Sequence, residues 1–370
     1  MINKHWVVVV FVAVLSLLLF WTPFKLGWNG TGMNRIVQNF DGLNFLIVAK
    51  TAYDPQLIER DYQEVLSGRK PLYFSAHYPG LPILIRVYDT ITTGPNALLL
   101  AIITSNILLA LVLYWFFDWY TKDGRVTVLL SIVTLFFPAR MLAVRAVGSN
   151  EMLFIFFVLT SLLLHNQRRR WEAAIMGSLA VLTRSPGIIL FMAYFFSTWY
   201  MVRGTWLEKI KEFIPYLLIP LTLLGLWVYY GFVFGSFWSY FQVGGNINLY
   251  YPFAVFASNM PWVGEIWLED IVYLTAFMVT GIFLFIKRKG FSAATLFAIL
   301  YATFTLCVAH RDLARYSIPI MPFVIAGWSE IIPNKVVKLL GYILVIPIFL
   351  YAWQFVLSNY QVVADWTKYL

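Results

Sequence analysis

Residues 96–117 read NALLLAIITSNILLALVLYWFF, a run without a single charge. At 1.5 Å per residue, a helix of that length reaches across the roughly 30 Å hydrocarbon core of a bilayer. The rest of the chain repeats the pattern. Apolar runs at 6–24, 126–138, 151–164, 173–182, 187–202, 213–230, 271–286, 292–309, 317–332 and 336–357 are separated by charged or Pro/Gly punctuation. Each reads as a helix, with 126–138 and 173–182 the shortest. The first run ends in Phe20-Trp21-Thr22-Pro23-Phe24, which offers no small-x-small cleavage site, so it reads as a retained anchor.

Composition agrees. Of 370 residues, 61% are hydrophobic and 12% charged, and mean hydropathy is +0.74. Soluble domains run about 45–50% apolar and about 25% charged, so a soluble globular or disordered chain is excluded. The single cysteine, Cys307, lies in an apolar run and excludes a disulfide within the chain. The expected architecture is an all-α polytopic membrane protein of about eleven transmembrane helices. It reads as a single integral domain over residues 1–370, with long loops at 25–95 and 231–270.

The net charge of +9 divides by loop rather than pointing to nucleic acid. With the N-terminus inside, one side collects Lys4, Lys122 and Arg125, Arg168 to Arg170, Arg203 with Lys209 and Lys211, Lys287 to Lys289, and Lys335 with Lys338. The opposite side holds both long loops and most acidic residues. The positive-inside rule therefore predicts a cytoplasmic N-terminus and extracytoplasmic long loops.

Five arginines break that rule by falling in short outer loops: Arg140, Arg145, Arg184, Arg311 and Arg315. One reading has them snorkel to headgroups or pair with acids such as Glu151 and Asp312. The other has them converge on a phosphate, for which guanidinium offers bidentate geometry and permanent charge. Arg311 and Arg315 would share a face of a continuing helix. Convergence suggests an anionic lipid carrier approached from the outer leaflet.

Asp41 stands in an otherwise apolar stretch, Phe40 to Lys50, just outside the first helix. If helical, the stretch has a polar side of Arg35, Gln38, Asp41 and Asn44 and lies along the interface. Asp41 is then either a solvated acid or a general base facing a cavity, which must reach the hydroxyl it deprotonates. Residues 54–64 read as a solvated charged helix. His77 and Tyr78 precede Pro79-Gly80-Leu81-Pro82, a turn into a helix too short to span. His77 either caps that turn or hydrogen-bonds a sugar or phosphate. Aromatics between residues 231 and 267, including Trp238 and Tyr240, suit an interfacial belt, a sugar face or a polyprenyl chain.

There is no P-loop and no HExxH, and the four histidines are scattered, so neither nucleotide-driven pumping nor a zinc site is expected. Span interiors lack acids, which disfavours proton-coupled transport.

These residues resemble the GT-C superfamily of membrane glycosyltransferases, and within it the PIG-V-type mannosyltransferases and their prokaryotic relatives. The family's Trp-Asp-x-x-His-Phe motif is matched by Phe40-Asp41-Gly42-Leu43-Asn44-Phe45, with Phe40 for Trp and Asn44 for His. Its aromatic-Pro turn is matched by residues 77–86, ending at Arg86. Its Pro-Ala…Ser-Glu-x-Leu-Phe segment is matched by Pro138-Ala139…Ser149-Asn150-Glu151-Met152-Leu153-Phe154. Its Thr-Arg-Ser-Asn-Gly is matched by Thr183-Arg184-Ser185-Pro186-Gly187.

The resemblance implies a GT-C-type bundle whose long first loop carries interfacial helices. It implies inverting transfer of a sugar, mannose being the expected one, from a polyprenyl-phosphate donor to a lipid, glycan or protein acceptor hydroxyl. Asp41 is the expected base; Asn44, His77, Tyr78, Arg145, Glu151, Arg184, Arg311 and Arg315 are the expected substrate-binding residues. No metal or other cofactor is expected, since arginines can neutralise the phosphate. The expected setting is the plasma membrane of a prokaryote, among membrane lipids, with the active site extracytoplasmic. A lipid-carrier flippase or scramblase, or a non-catalytic partner subunit of the same fold, are the alternatives.

Overall fold

A computed structural model of the chain describes residues 4–201, 203–243 and 249–370. Val202, the expected end of one helix, and residues 244–248 of the second long loop lie outside the described residues. Among the described residues the structure is helical, with two isolated β-bridges, Asn39 to Tyr360 and Leu249 to Val308.

Among the described residues, five helical stretches are long and apolar enough to cross a membrane: His5–Lys25, Gly94–Thr121, Trp206–Phe234, Glu265–Lys289 and Lys335–Ser358. They make the chain an integral membrane protein. The first and last of them are apolar on their outward faces too. His5–Lys25 buries Val9, Ala13, Leu17 and Phe20 while exposing Val8, Phe11, Leu15 and Leu19. Lys335–Ser358 buries only Ala352 and Val356. A helix that is hydrophobic all round needs an apolar surrounding on its free side.

The other expected spans are helices too, but shorter: Gly124–Phe136, Glu151–Asn166, Arg170–Thr183, Ile189–Met201, Ala293–Leu306 and Met321–Gly327. Proline sets several of these ends. Phe137, before Pro138, is extended, as the clash with a following proline ring requires. Arg184 is also extended, one residue ahead of the Ser185-Pro186 turn.

The first long loop departs from the expected amphipathic helix. Asn34–Val37 is one helix and Gly42–Thr51 another, and between them Phe40 takes a left-handed φ of 48°. Arg35, Gln38, Asp41 and Asn44 therefore do not form one polar side. The turn is anchored from the chain's far end: Asn39 Nδ2 donates to Val356 O at 2.7 Å, and Arg35 lies over the Tyr360 ring. Gly42–Thr51 is buried nearly all round, against Gly80–Asp89 and Gly94–Thr121, rather than lying on an interface. Residues 54–64 are helical as expected, with Asp54 capping Pro55–Asp61.

Two close approaches bring the loop to the bundle. A Cβ on Gly148 would collide with Gly42 Cα, and one on Gly80 would collide with Thr183 Oγ1. The first places the Asp41 turn beside the start of Glu151–Asn166. The second places the His77-Tyr78 turn beside Arg184.

Candidate active site

Asp41 is the N-cap of Gly42–Thr51, yet its side chain caps nothing there. It points instead to residues from two other parts of the chain, Arg315 and His77. Arg315, on the short helix Leu313–Tyr316, donates from Nη2 to Asp41 Oδ2 at 3.0 Å. Arg315 Nε also donates to Glu151 Oε1 at 2.6 Å. Arg184 Nη1 donates to the same Glu151 oxygen and, at 2.9 Å, to Asn150 Oδ1. Two carboxylates and two guanidinium groups thus form one chain of ion pairs, Asp41–Arg315–Glu151–Arg184.

His77 completes the cluster. It follows the turn Pro71–Ala76, and its carbonyl accepts from Tyr53 Oη at 2.7 Å. Its Nε2 lies 3.6 Å from Asp41 Oδ1 and 3.1 Å from Asn44 Nδ2. Burial on its own would raise the Asp41 carboxyl. The charge of Arg315 and the hydrogen bond and charge of His77 outweigh that and hold it well below the usual carboxylate range. Asp41 is therefore ionised at neutral pH, and it is a weak proton acceptor for as long as Arg315 stays paired with it.

The cluster opens into a cavity of about 680 Å³. Asp41, His77, Tyr78, Arg184 and Arg315 line it, all from loops or short turns. Part of the wall is apolar and comes from the bundle: Ile189 and Met192, Leu223 and Trp227, Phe304. Polar loops over an apolar, helix-built wall suit an amphiphile with a polar, anionic end. Tyr240, from the second long loop, also lines the cavity, 3.1 Å from Ser185 Oγ and edge-on to the Tyr78 ring.

The other expected site residues stand elsewhere. Asn44 is 1% exposed and Glu151 is 0% exposed; Asn44 contacts His77 and Glu151 holds the two arginines. Arg145 is a correction. It is completely buried, donating to Leu135 O, Ala13 O, Asn106 Oδ1 and Ser16 Oγ at 2.5–3.1 Å, and does not line the cavity. Its charge is absorbed by a ring of carbonyl and side-chain oxygens that cross-braces the first, second and third apolar helices. Arg311 is also corrected: the helix begins only at Leu313, so Arg311 is exposed and shares no helix face with Arg315. Arg140 pairs with Asp312 at 3.2 Å and Tyr351 at 2.8 Å.

Ser185, Trp227, Tyr301 and Tyr316 line the cavity without having been singled out from the sequence. Trp227 and Tyr301 sit in apolar runs where they read as core; Ser185 and Tyr316 adjoin arginines, which was the available signal. Among the described residues, no group of three or more His, Cys, Asp or Glu side chains is arranged to hold a metal ion.

No protein-family model matches the chain, and no curated protein does either. Among solved structures the chain is similar to the archaeal oligosaccharyltransferase AglB from Archaeoglobus fulgidus, in complex with an inhibitory peptide and a dolichol-phosphate. The TM-score is 0.56 at 13% identity, over 98% of this chain. The chain spans 57% of the length of that protein. At this identity the likeness speaks for the fold alone: the helical arrangement of this chain is similar to that of the AglB structure.

Proposed function

We propose that the protein transfers a sugar from a polyprenyl-phosphate donor to an acceptor hydroxyl, with inversion at the anomeric carbon. The single observation that carries this is the ionised Asp41 set in an amphiphile-shaped cavity beside Arg184 and Arg315. The acceptor oxygen attacks the anomeric carbon and its proton passes to an Asp41 carboxylate oxygen. The bond from that carbon to the phosphate oxygen breaks, and its electron pair stays on the lipid phosphate. Preorganised donors are worth most where such charge develops, which is the role of the two arginines. A donor phosphate that draws Arg315 towards itself also loosens its hold on Asp41 and makes the carboxylate more basic. The dolichol-phosphate in the AglB structure supports a lipid-phosphate donor.

Mannose is the sugar favoured by the resemblance to PIG-V-type enzymes. The separation of basic clusters from long acidic loops supports about eleven crossings. It also supports a cytoplasmic N-terminus and an extracytoplasmic site in a prokaryotic plasma membrane. The experiment is transfer of radiolabelled sugar by the purified protein from polyprenyl-phosphate-mannose to extracted membrane acceptors. Incorporation that depends on Asp41 is expected. Lipid translocation in proteoliposomes without any transfer would replace this reading with that of a flippase.

A further inference from the structure

A second cavity, of about 330 Å³, lies far from the site described above. Tyr120, Asp123, Arg288, Lys289, Ser329 and Glu330 line it. It forms where the C-terminal ends of two candidate spans, Gly94–Thr121 and Glu265–Lys289, meet. Asp41 adjoins the other end of the first of these: a Cβ on its neighbour Gly42 would touch Leu98. From Leu98 to Tyr120 the helix rises about 33 Å, close to the thickness of a bilayer core. The two cavities therefore belong to opposite membrane faces.

The fold here joins two basic clusters that are far apart in sequence. Lys122 lies close enough to Lys289 for their like charges to repel. Among the described residues neither lysine has a carboxylate partner; Lys289 Nζ rests instead over the rings of Trp119 and Tyr120, at 4.2 and 5.0 Å. Arg288 donates to Ser329 Oγ and pairs with Glu330 at 2.5 Å, but Glu330 is 80% exposed. Asp123 Oδ1 accepts from the Arg125 and Val126 amides as the cap of Gly124–Phe136. Two cations, Arg288 and Lys289, thus line the cavity with Lys122 beside them, against one committed cap and one solvated acid. An aromatic pair at the depth of the span ends marks the headgroup layer.

We propose that this cavity binds the phosphate of an anionic phospholipid headgroup in the leaflet opposite the candidate active site. Lys289 meets the phosphate, Lys122 adds its charge from beside the cavity, and Arg288 joins by exchanging the solvated Glu330 for it. Trp119 and Tyr120 seat the headgroup at the interface. Basic pockets between spans on the cytoplasmic side are a suitable setting for such lipids.

The test is native mass spectrometry of the full chain in detergent, titrated separately with phosphatidylglycerol, phosphatidylcholine and inorganic phosphate. One phosphatidylglycerol retained several-fold more strongly than phosphatidylcholine is expected. The double variant Arg288→Gln with Lys289→Gln should weaken that retention about tenfold. Glu330→Gln, which releases Arg288, should strengthen it, and this gain cannot come from misfolding. Equal retention of both lipids, or retention unchanged in the double variant, overturns the proposal. Displacement of phosphatidylglycerol by an equal concentration of inorganic phosphate would keep the anion site but overturn the lipid as its ligand.

Discussion

Arg315 Nε and Glu151 Oε1 lie 2.6 Å apart across 164 residues of sequence. Glu151 is completely buried, and the same oxygen also receives Arg184. One carboxylate therefore fixes the separation of the two guanidinium groups that face the cavity. Such a buried acid is tolerable because it never stands alone.

Replacing it by Gln keeps the shape and removes the charge. The two arginines would then be held close together with Asp41, on the far side of Arg315, as the remaining carboxylate. Breaking a buried ion pair from one side typically costs about 3–5 kcal/mol. Glu151→Gln is expected to lower the thermal midpoint in detergent clearly, and Glu151→Asp to restore part of it. An unchanged midpoint would mean that the arginines are set by something else.

Arg145 makes the contrasting case. Its partners are backbone carbonyls and neutral side chains, so Arg145→Ala takes the side-chain donor from Leu135 O and Asn106 Oδ1, and a buried acceptor left unpaired costs about 1–3 kcal/mol. Loss of folded yield is expected, with no selective change in donor affinity of whatever protein folds. A variant of normal stability and weakened donor binding would return Arg145 to the substrate.

These two residues show what the sequence could convey. Both are arginine partners or arginines at helix ends on one side of the membrane, and the charge pattern treats them alike. Distinguishing them requires knowing that the helix carrying Ser16 packs against Arg145, which is a tertiary fact. The helical stretches were legible because an apolar run in lipid has few alternatives to helix. The bend at Phe40 was not, since nothing in Asn39-Phe40-Asp41 signals a left-handed residue, and its anchors, Val356 and Tyr360, lie at the far end of the chain. Arg311 failed for a local reason: Asp312 accepts the role of helix start and ends the i, i+4 relation.

The depressed Asp41 carboxyl gives a pH signature. Its native state binds a proton less readily than the unfolded chain, so protonation favours unfolding. Its contribution is complete above the ordinary value of 3.8 and is lost as pH falls from there through the lowered native value. The gap in thermal midpoint between wild type and Asp41→Asn should be widest near neutrality and should narrow below about pH 4. A gap independent of pH would mean that Asp41 stabilises through shape rather than charge.

The sharpest prediction separates base from donor clamp. Asp41→Asn preserves size and hydrogen-bonding capacity but cannot take the acceptor proton, and loss of a general base typically costs about a hundred- to ten-thousand-fold in rate. Arg315 keeps Glu151 as its partner in that variant, so the cavity's cationic face survives and donor affinity should change by no more than a few-fold. Arg184→Ala should do the reverse in part: it removes a donor facing the cavity and lowers transfer by about 2–4 kcal/mol of transition-state stabilisation. Lys at that position should recover only a fraction: Arg184 commits Nη1 alone to Glu151 and Asn150, and an ammonium has no further nitrogen to offer the phosphate. Donor affinity by titration and sugar transfer by radiolabel, measured on both variants, give the split directly. Transfer by Asp41→Asn within a few-fold of wild type would remove Asp41 as the base and leave His77, 3.6 Å away, as the next residue to test.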